Sequence, residues 1–390
     1  MTSFDHIPIL DLSLARGATT KPKFLEDLRH ALLEVGFLYV QNTGIDPRLI
    51  QDAIEQGIAF FDLPLEEKLR IEMKNAPSFL GYSRLGNEIT QSATDWREQI
   101  DLSTPHELPR PSSPLYHNLL APNQWPSATH LPHFQRVFES YMAQMGQMSL
   151  FFTSLVAQAL SLPGDAFARF FDPNQQHKLK IVKYPDGAEL ASASAAASSS
   201  SSSDHVHQGP NQERQGVGPH RDSMLTSYLL QASPHRGLQV QNAAGVWIDV
   251  PPVRDTFVVA IGQGMEALTG GVCASTTHRV LSPQPGEGPR YSIPFFQGVS
   301  YDAAFESMSV PDHLRALKEE SVRAGRAERD KKRDGQGEGE GEGNGEVEFT
   351  FVKGRWIHLG EATLANRVRS HPDVGQRWYP DLLAQIQAQS

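Results

Sequence analysis

His220 and Asp222 stand two residues apart, a spacing that puts an imidazole and a carboxylate on one side of an extended chain, where both can reach one metal ion. A later antiparallel strand can return His278 to the same point and add a second imidazole. Two neutral nitrogens and one carboxylate leave three adjoining positions of an octahedral ion open for substrate and oxygen. Zinc favours fewer ligands and has no second oxidation state to use with oxygen, so the set points to iron. Downstream, Arg290 and Ser292 alternate with Tyr291 and so share one face of a strand. A guanidinium pairs bidentately with a carboxylate and a hydroxyl adds one hydrogen bond, a combination suited to the far carboxylate of 2-oxoglutarate. Tyr184, in KYP, can aim its hydroxyl at the same ligand from an adjoining strand. A rival set, Asp204, His205 and His207, has metal-like spacing but lies beside a serine tract with no strand to hold it, so weak or no binding is expected there. His235 is expected in an exposed turn, and Cys273 as a buried apolar residue.

These side chains need a sheet to bring them together. From Leu179 onward KIVKY, LTSYLL, GLQVQ, VWIDV, FVVAIG, HRVLS and RYSIPFF read as short strands separated by proline- or glycine-containing turns. The intervals between Leu225 and Phe296 are too short for helical crossovers, which excludes a doubly wound sheet. The expected fold is an all-β catalytic core with an α-helical cover, a sandwich or jelly roll closed around a cavity. The cover comes from the early chain. IPILDL is a short strand, residues 22–35 a helix interrupted by Gly36, FLYV a strand, Arg48 to Phe61 a helix, and Glu66, Glu67 and Lys68 the start of another. Phe134 to Leu160 is the longest helical candidate, with an aromatic and methionine stripe that packs on the sheet.

The organisation read from this pattern is an N-terminal region, 1–125, followed by helical support, the core and a C-terminal cover, 126–390. Two low-complexity segments, 188–215 with its ASASAAASSSSSS run and 329–346 with its GEGEGEGNGE tract, have nothing bulky to bury and are expected as disordered inserts. With 390 residues and 39% hydrophobic content the chain can bury a substantial core, and no stretch approaches the roughly 20 apolar residues of a membrane span. A net charge of -10 argues against nucleic acid or anionic membrane as partners. One cysteine excludes an intrachain disulfide, and the start MTSFDHIPIL lacks a basic leader with a long apolar run, so a cytoplasmic monomer is expected.

Around these residues the chain resembles the isopenicillin N synthase-like branch of the iron(II)/2-oxoglutarate-dependent dioxygenases. His220, Asp222 and His278 match its facial triad, and Arg290 and Ser292 its RxS carboxylate-binding motif. GVGPHRD at 216–222, THRV at 277–280, RYSIPFF at 290–296 and, earlier, IPILDL, GFLYVQNTG at 36–44 and PNQWP at 122–126 extend the likeness over most of the chain outside the inserts. The resemblance implies a double-stranded β-helix that uses Fe(II), 2-oxoglutarate and molecular oxygen to hydroxylate a small organic metabolite, releasing succinate and carbon dioxide. Desaturation or ring closure in the same branch is the chemical alternative, and a non-catalytic jelly-roll binding protein the other. By motif proximity Tyr82, Arg97, Met224, Gln263 and Phe296 are candidates for the substrate pocket, with Asp95 or Glu98 as ion-pair partners for Arg97.

Overall fold

The computed structural model describes residues 4–90, 93–198, 215–304, 308–335 and 357–388. Its strands are β1 (Ile9–Asp11), β2 (Phe37–Gln41), β3 (Gly81–Ser83), β4 (Glu88–Thr90), β5 (Ala93–Asp95), β6 (Glu98–Ser103), β7 (Lys178–Tyr184), β8 (Gln215–His220), β9 (Thr226–Gln231), β10 (Leu238–Gln241), β11 (Trp247–Asp249), β12 (Thr256–Ile261), β13 (His278–Leu281) and β14 (Arg290–Gln297). They form a larger sheet in the order β1-β2-β12-β9-β14-β7-β6-β3, a smaller one in the order β11-β10-β13-β8, and the hairpin β4-β5. The fold is a jelly roll, a double-stranded β-helix with helices on one face. All seven strand segments read from the sequence after Leu179 are present.

Strand alternation divides the buried residues between two layers. Phe257, Val259 and Ile261 of β12 join the helical core, while Val258 and Ala260 face the space between the sheets. Leu179 and Ile181 of β7 and Ile293 and Phe295 of β14 likewise face the helices. This leaves the alternate positions of those strands free to line a cavity. Burial on both faces explains why these strands read as nearly continuous apolar runs.

The helices are α1 (Lys21–His30), α2 (Pro47–Phe61), α3 (Leu65–Arg70), α4 (Phe134–Ala159), α5 (Gly187–Ser198), α6 (Gln263–Leu268), α7 (Asp312–Gly335), α8 (Leu359–Ser370), α9 (Pro372–Trp378) and α10 (Pro380–Gln387). The aromatic stripe of α4, including Phe134, Tyr141, Met145 and Phe152, is buried in the core with Phe60 of α2. The helix expected over 22–35 is in two parts: α1 ends at His30 and a π-helical turn, Ala31–Val35, follows. Gly36 closes that turn at φ +70, and a side chain there would collide with the Ala274 carbonyl and the Thr276 hydroxyl. The chain thus enters β2 hard against the segment leading to His278.

Two expectations need correction. Residues 187–198 form α5 where a mobile insert was expected, because alanine is the best helix former and Asp186 caps the start, accepting from the Ala188 and Glu189 amides at 2.9 Å each. Similarly, α7 runs through the basic RDKKR stretch to Gly335. The rest of both segments, and with it Asp204, His205 and His207, lies outside the described residues.

Apart from the β4-β5 hairpin, the strands from residues 1–125 belong to the larger sheet. β1 and β2 continue the larger sheet beyond β12, and β6 and β3 beyond β7. At the other end of the chain, α8, α9 and α10 bury Leu364, Val368, Val374, Tyr379 and Ile386 against Phe79 and Tyr116, which carries α8 over the mouth of the roll.

Candidate metal centre and cavity

His220 ends β8 and His278 opens β13, and the antiparallel register places them directly opposite each other. Their rings lie 4.2 Å apart between centroids. Asp222 follows in the loop after β8, with its Oδ1 at 3.6 Å from His220 Nε2 and 3.7 Å from His278 Nε2. One ligand atom from each of the three falls within 4.8 Å of the others.

Each group is oriented by a second contact. His220 Nδ1 lies 2.9 Å from the Gly218 carbonyl and His278 Nδ1 3.2 Å from the Thr276 carbonyl, so Nδ1 carries the proton and Nε2 faces inward with its lone pair. Ser227 of β9 donates to Asp222 Oδ2, leaving Oδ1 toward the imidazoles. The edge of the Phe37 ring meets His278 at 5.0 Å. The Asp222 loop is pinned from behind by the Gln263 amide, which donates to the Asp222 carbonyl at 2.7 Å.

The electrostatics suit a cation. Burial, with His220 nearby, pushes His278 down to about 4, so it is neutral at physiological pH. Burial alone would raise the Asp222 carboxyl, but the His278 and His220 rings and the Ser227 hydroxyl together hold it well below the usual carboxylate range. His220 is depressed by burial and more than restored by Asp222, so its value is raised. A buried carboxylate between two imidazole lone pairs is a donor set that fits a divalent iron ion.

A cavity of ≈ 240 Å³ opens from this point, and Arg290, Ser292 and Tyr184 line it. Arg290 is 1% exposed and stands opposite Tyr184 in the β14–β7 register, with its guanidinium 5.0 Å from the Tyr184 ring centre. Nη2 donates to Gln231 at 3.2 Å, whereas Nε and Nη1 are buried with no acceptor. Two orphaned, buried guanidinium N–H groups beside a cavity are the complement of a carboxylate. The residues therefore fit 2-oxoglutarate as well as iron. The Tyr184 ring lies against the guanidinium, and the side chain also interacts with it electrostatically.

Of the five pocket candidates, Arg97, Met224 and Phe296 line the cavity and Tyr82 and Gln263 do not. The Tyr82 hydroxyl donates instead to Glu98 at 2.8 Å, beneath the Lys68 ammonium. Gln263 is used behind the Asp222 loop. Arg97 pairs with Glu88 at 2.8 Å and Asp95 at 3.2 Å, so Asp95 is a partner as expected and Glu98 is not. His235 is half-buried, with Nε2 at 2.8 Å from the Glu287 carbonyl, and Cys273 is buried as expected.

Several cavity residues escaped the sequence reading: Glu88, Lys178, Lys180, Tyr301 and Arg367. For the two lysines a signal existed. Lys178, Lys180, Val182 and Tyr184 occupy alternate positions of one strand, so an inward Tyr184 implies inward lysines. Glu88 and Arg367 arrive from a distant hairpin and from α8, and nothing local marks them.

Comparison with known proteins agrees with this geometry. Residues 7–128 match the family described as non-haem dioxygenase in morphine synthesis N-terminal, and residues 200–299 match the 2OG-Fe(II) oxygenase superfamily. The chain is 64% identical over 389 residues to the 2-oxoglutarate-dependent dioxygenase frbJ of Dothideomycetidae sp., covering 99% of this chain and 96% of that protein. It is 36% identical over 395 residues to a 2-oxoglutarate-dependent dioxygenase of Gibberella zeae, covering 98% and 93%. Among solved structures, a complex of JOX2 with 2OG, Fe and JA aligns with TM-score 0.61 and 26% identity over 79% of this chain and 80% of that one. A full-length Neurospora crassa protein bound to alpha-KG and thymine shares the fold, with TM-score 0.63 and 23% identity over 81% and 96%. The chain belongs to the 2OG-Fe(II) oxygenase superfamily. It is a non-haem dioxygenase that depends on Fe(II) and 2-oxoglutarate and takes molecular oxygen as co-substrate.

Proposed function

We propose that His220, Asp222 and His278 hold the iron, that Arg290 and Ser292 hold the remote carboxylate of 2-oxoglutarate, and that the enzyme hydroxylates a carbon of a small organic metabolite. When bound, the iron and 2-oxoglutarate supply C–H oxidation by oxygen coupled to loss of carbon dioxide and formation of succinate. The chain's own part is orientation and exclusion of water. The observation that carries this reading is the pair of unsatisfied Arg290 N–H groups in the same cavity as the three converged ligand atoms. Tyr184, with its ring 5.0 Å from the guanidinium, lines the same cavity and can turn its hydroxyl to the same ligand.

Met224 and Phe296 put apolar surface on the cavity wall beside the Asp222 loop, which suits a carbon centre better than a polar group. The two regions, 1–125 and 126–390, act as one catalytic unit because they share a sheet. We read the protein as a cytoplasmic monomer with no nucleic-acid or membrane partner, in keeping with its charge of -10 and single cysteine. Among the described residues no helix is long and apolar enough to cross a membrane. The test is oxygen-dependent conversion of 2-oxoglutarate to succinate by iron-loaded protein. Arg290→Ala should raise the 2-oxoglutarate requirement and leave iron uptake intact; an unchanged requirement rules out its anchoring role.

A further inference from the structure

The far end of the cavity from Arg290 holds a second cationic group, which the iron and co-substrate reading leaves without a task. Lys178, Lys180 and Arg367 all line the wall. Arg367 meets Asp101 at 3.3 Å, and Lys180 meets Glu88 at 3.3 Å and Asp101 at 3.7 Å. Lys178 differs. Among the described residues its ammonium has no carboxylate in ion-pair distance; it donates to the Leu119 carbonyl at 2.9 Å and lies 5.9 Å from the Tyr301 ring centre. It is nevertheless 7% exposed. Leaving an ammonium buried with one acceptor for three N–H bonds is costly unless an anion arrives.

Resting on the reading above, we propose that Lys178, with Arg367 beside it, seats a carboxylate of the substrate, so that the substrate class is a small organic acid. Register places this seat relative to the metal. Phe296 pairs with Lys178 on one side and with Ser227, which holds Asp222, on the other. Lys178 is thus two strands from Ser227, roughly 10 Å across the sheet, a span that a short carbon chain bridges. Between the two lies the Phe296 ring, an apolar wall for that chain. One ammonium with no carboxylate in ion-pair distance among the described residues matches one carboxylate. Burial and the nearby Arg367 pull Lys178 down to about 7 against the opposing pull of Asp101, so a bound carboxylate would help it to keep its proton.

The experiment uses Mn(II)- and 2-oxoglutarate-loaded protein without oxygen and follows paramagnetic relaxation of butyrate and of 1-butanol by ligand-observed NMR. Butyrate should show saturable relaxation and butanol much less. Lys178→Met should weaken butyrate by about ten-fold or more, the loss expected for one charge-assisted contact, and Lys178→Arg should restore most of it. The Met variant should melt no lower than the parent, since it removes an unpaired buried ammonium; if it misfolds, Arg367→Gln gives the same readout. Equal relaxation of butyrate and butanol, or butyrate affinity unchanged in the variants, overturns the proposal. Mn(II) and 2-oxoglutarate uptake by the parent is measured first, so failure of the underlying site reading is visible as loss of that uptake and is distinct from failure at Lys178.

Discussion

Ser227 illustrates how much of the site depends on single atoms. Its hydroxyl occupies Asp222 Oδ2 and so selects Oδ1 as the atom facing the two imidazoles. Ser227→Ala should therefore weaken Mn(II) binding by about ten-fold, in the range found when an outer partner of a metal ligand is removed, and isothermal titration would show it. Asp222→Ala should abolish binding altogether. At Arg290, loss of the charge-assisted bonds that Nε and Nη1 can form should weaken 2-oxoglutarate by about 10- to 100-fold, at roughly 1.5–3 kcal/mol for such bonds. Lys178 predicts a pH dependence. It faces Arg367 on α8 and Asp101 on β6, and it loses its proton as pH rises through about 7, so butyrate affinity should fall across that interval. In Lys178→Met the affinity should be low and flat. These residues were unequally legible: the triad and Arg290 with Ser292 carry spacing signals, whereas Ser227 and Lys178 take their roles from strand register, which no short motif records.

At the scale of elements, the site depends on a close approach between the Asp222 loop and the junction of β12 with α6. A side chain on Gly262 would overlap the Met224 carbonyl and press toward the Asp222 carbonyl. Gly262→Ala should displace the loop and lower metal affinity while circular dichroism stays near that of the parent; unchanged affinity would mean that the loop adjusts freely. Most elements were readable because strands buried on two faces are apolar throughout and helices such as α4 carry a broad stripe. The departures have physical causes. Serine and alanine in 187–198 looked like a linker, but the Asp186 cap and alanine's propensity favour α5. Tyr82 and Gln263 sat close to motifs in sequence, yet hydrogen bonds to Glu98 and behind the Asp222 loop turn them away from the cavity.

For the whole molecule, the larger sheet joins strands from residues 9–103 to strands from residues 178–297, and α8 adds Arg367 to the cavity wall. Binding at a site assembled from so many segments should stabilise the folded state. At about a hundred-fold excess over Kd each ligand contributes roughly 2.7 kcal/mol, so Mn(II) and then 2-oxoglutarate should each raise the melting temperature. In Arg290→Ala the Mn(II) increment should survive and the 2-oxoglutarate increment should fall to about half or less at the same ligand concentration. The assembly as a whole is tested most directly by an anaerobic crystal structure with Mn(II) and 2-oxoglutarate, the metal located by its anomalous scattering. The expected result is one metal bound by His220 Nε2, His278 Nε2 and Asp222 Oδ1, with the far carboxylate of 2-oxoglutarate on Arg290 Nε and Nη1. A metal bound elsewhere, or a carboxylate that leaves Arg290 unpaired, would contradict it.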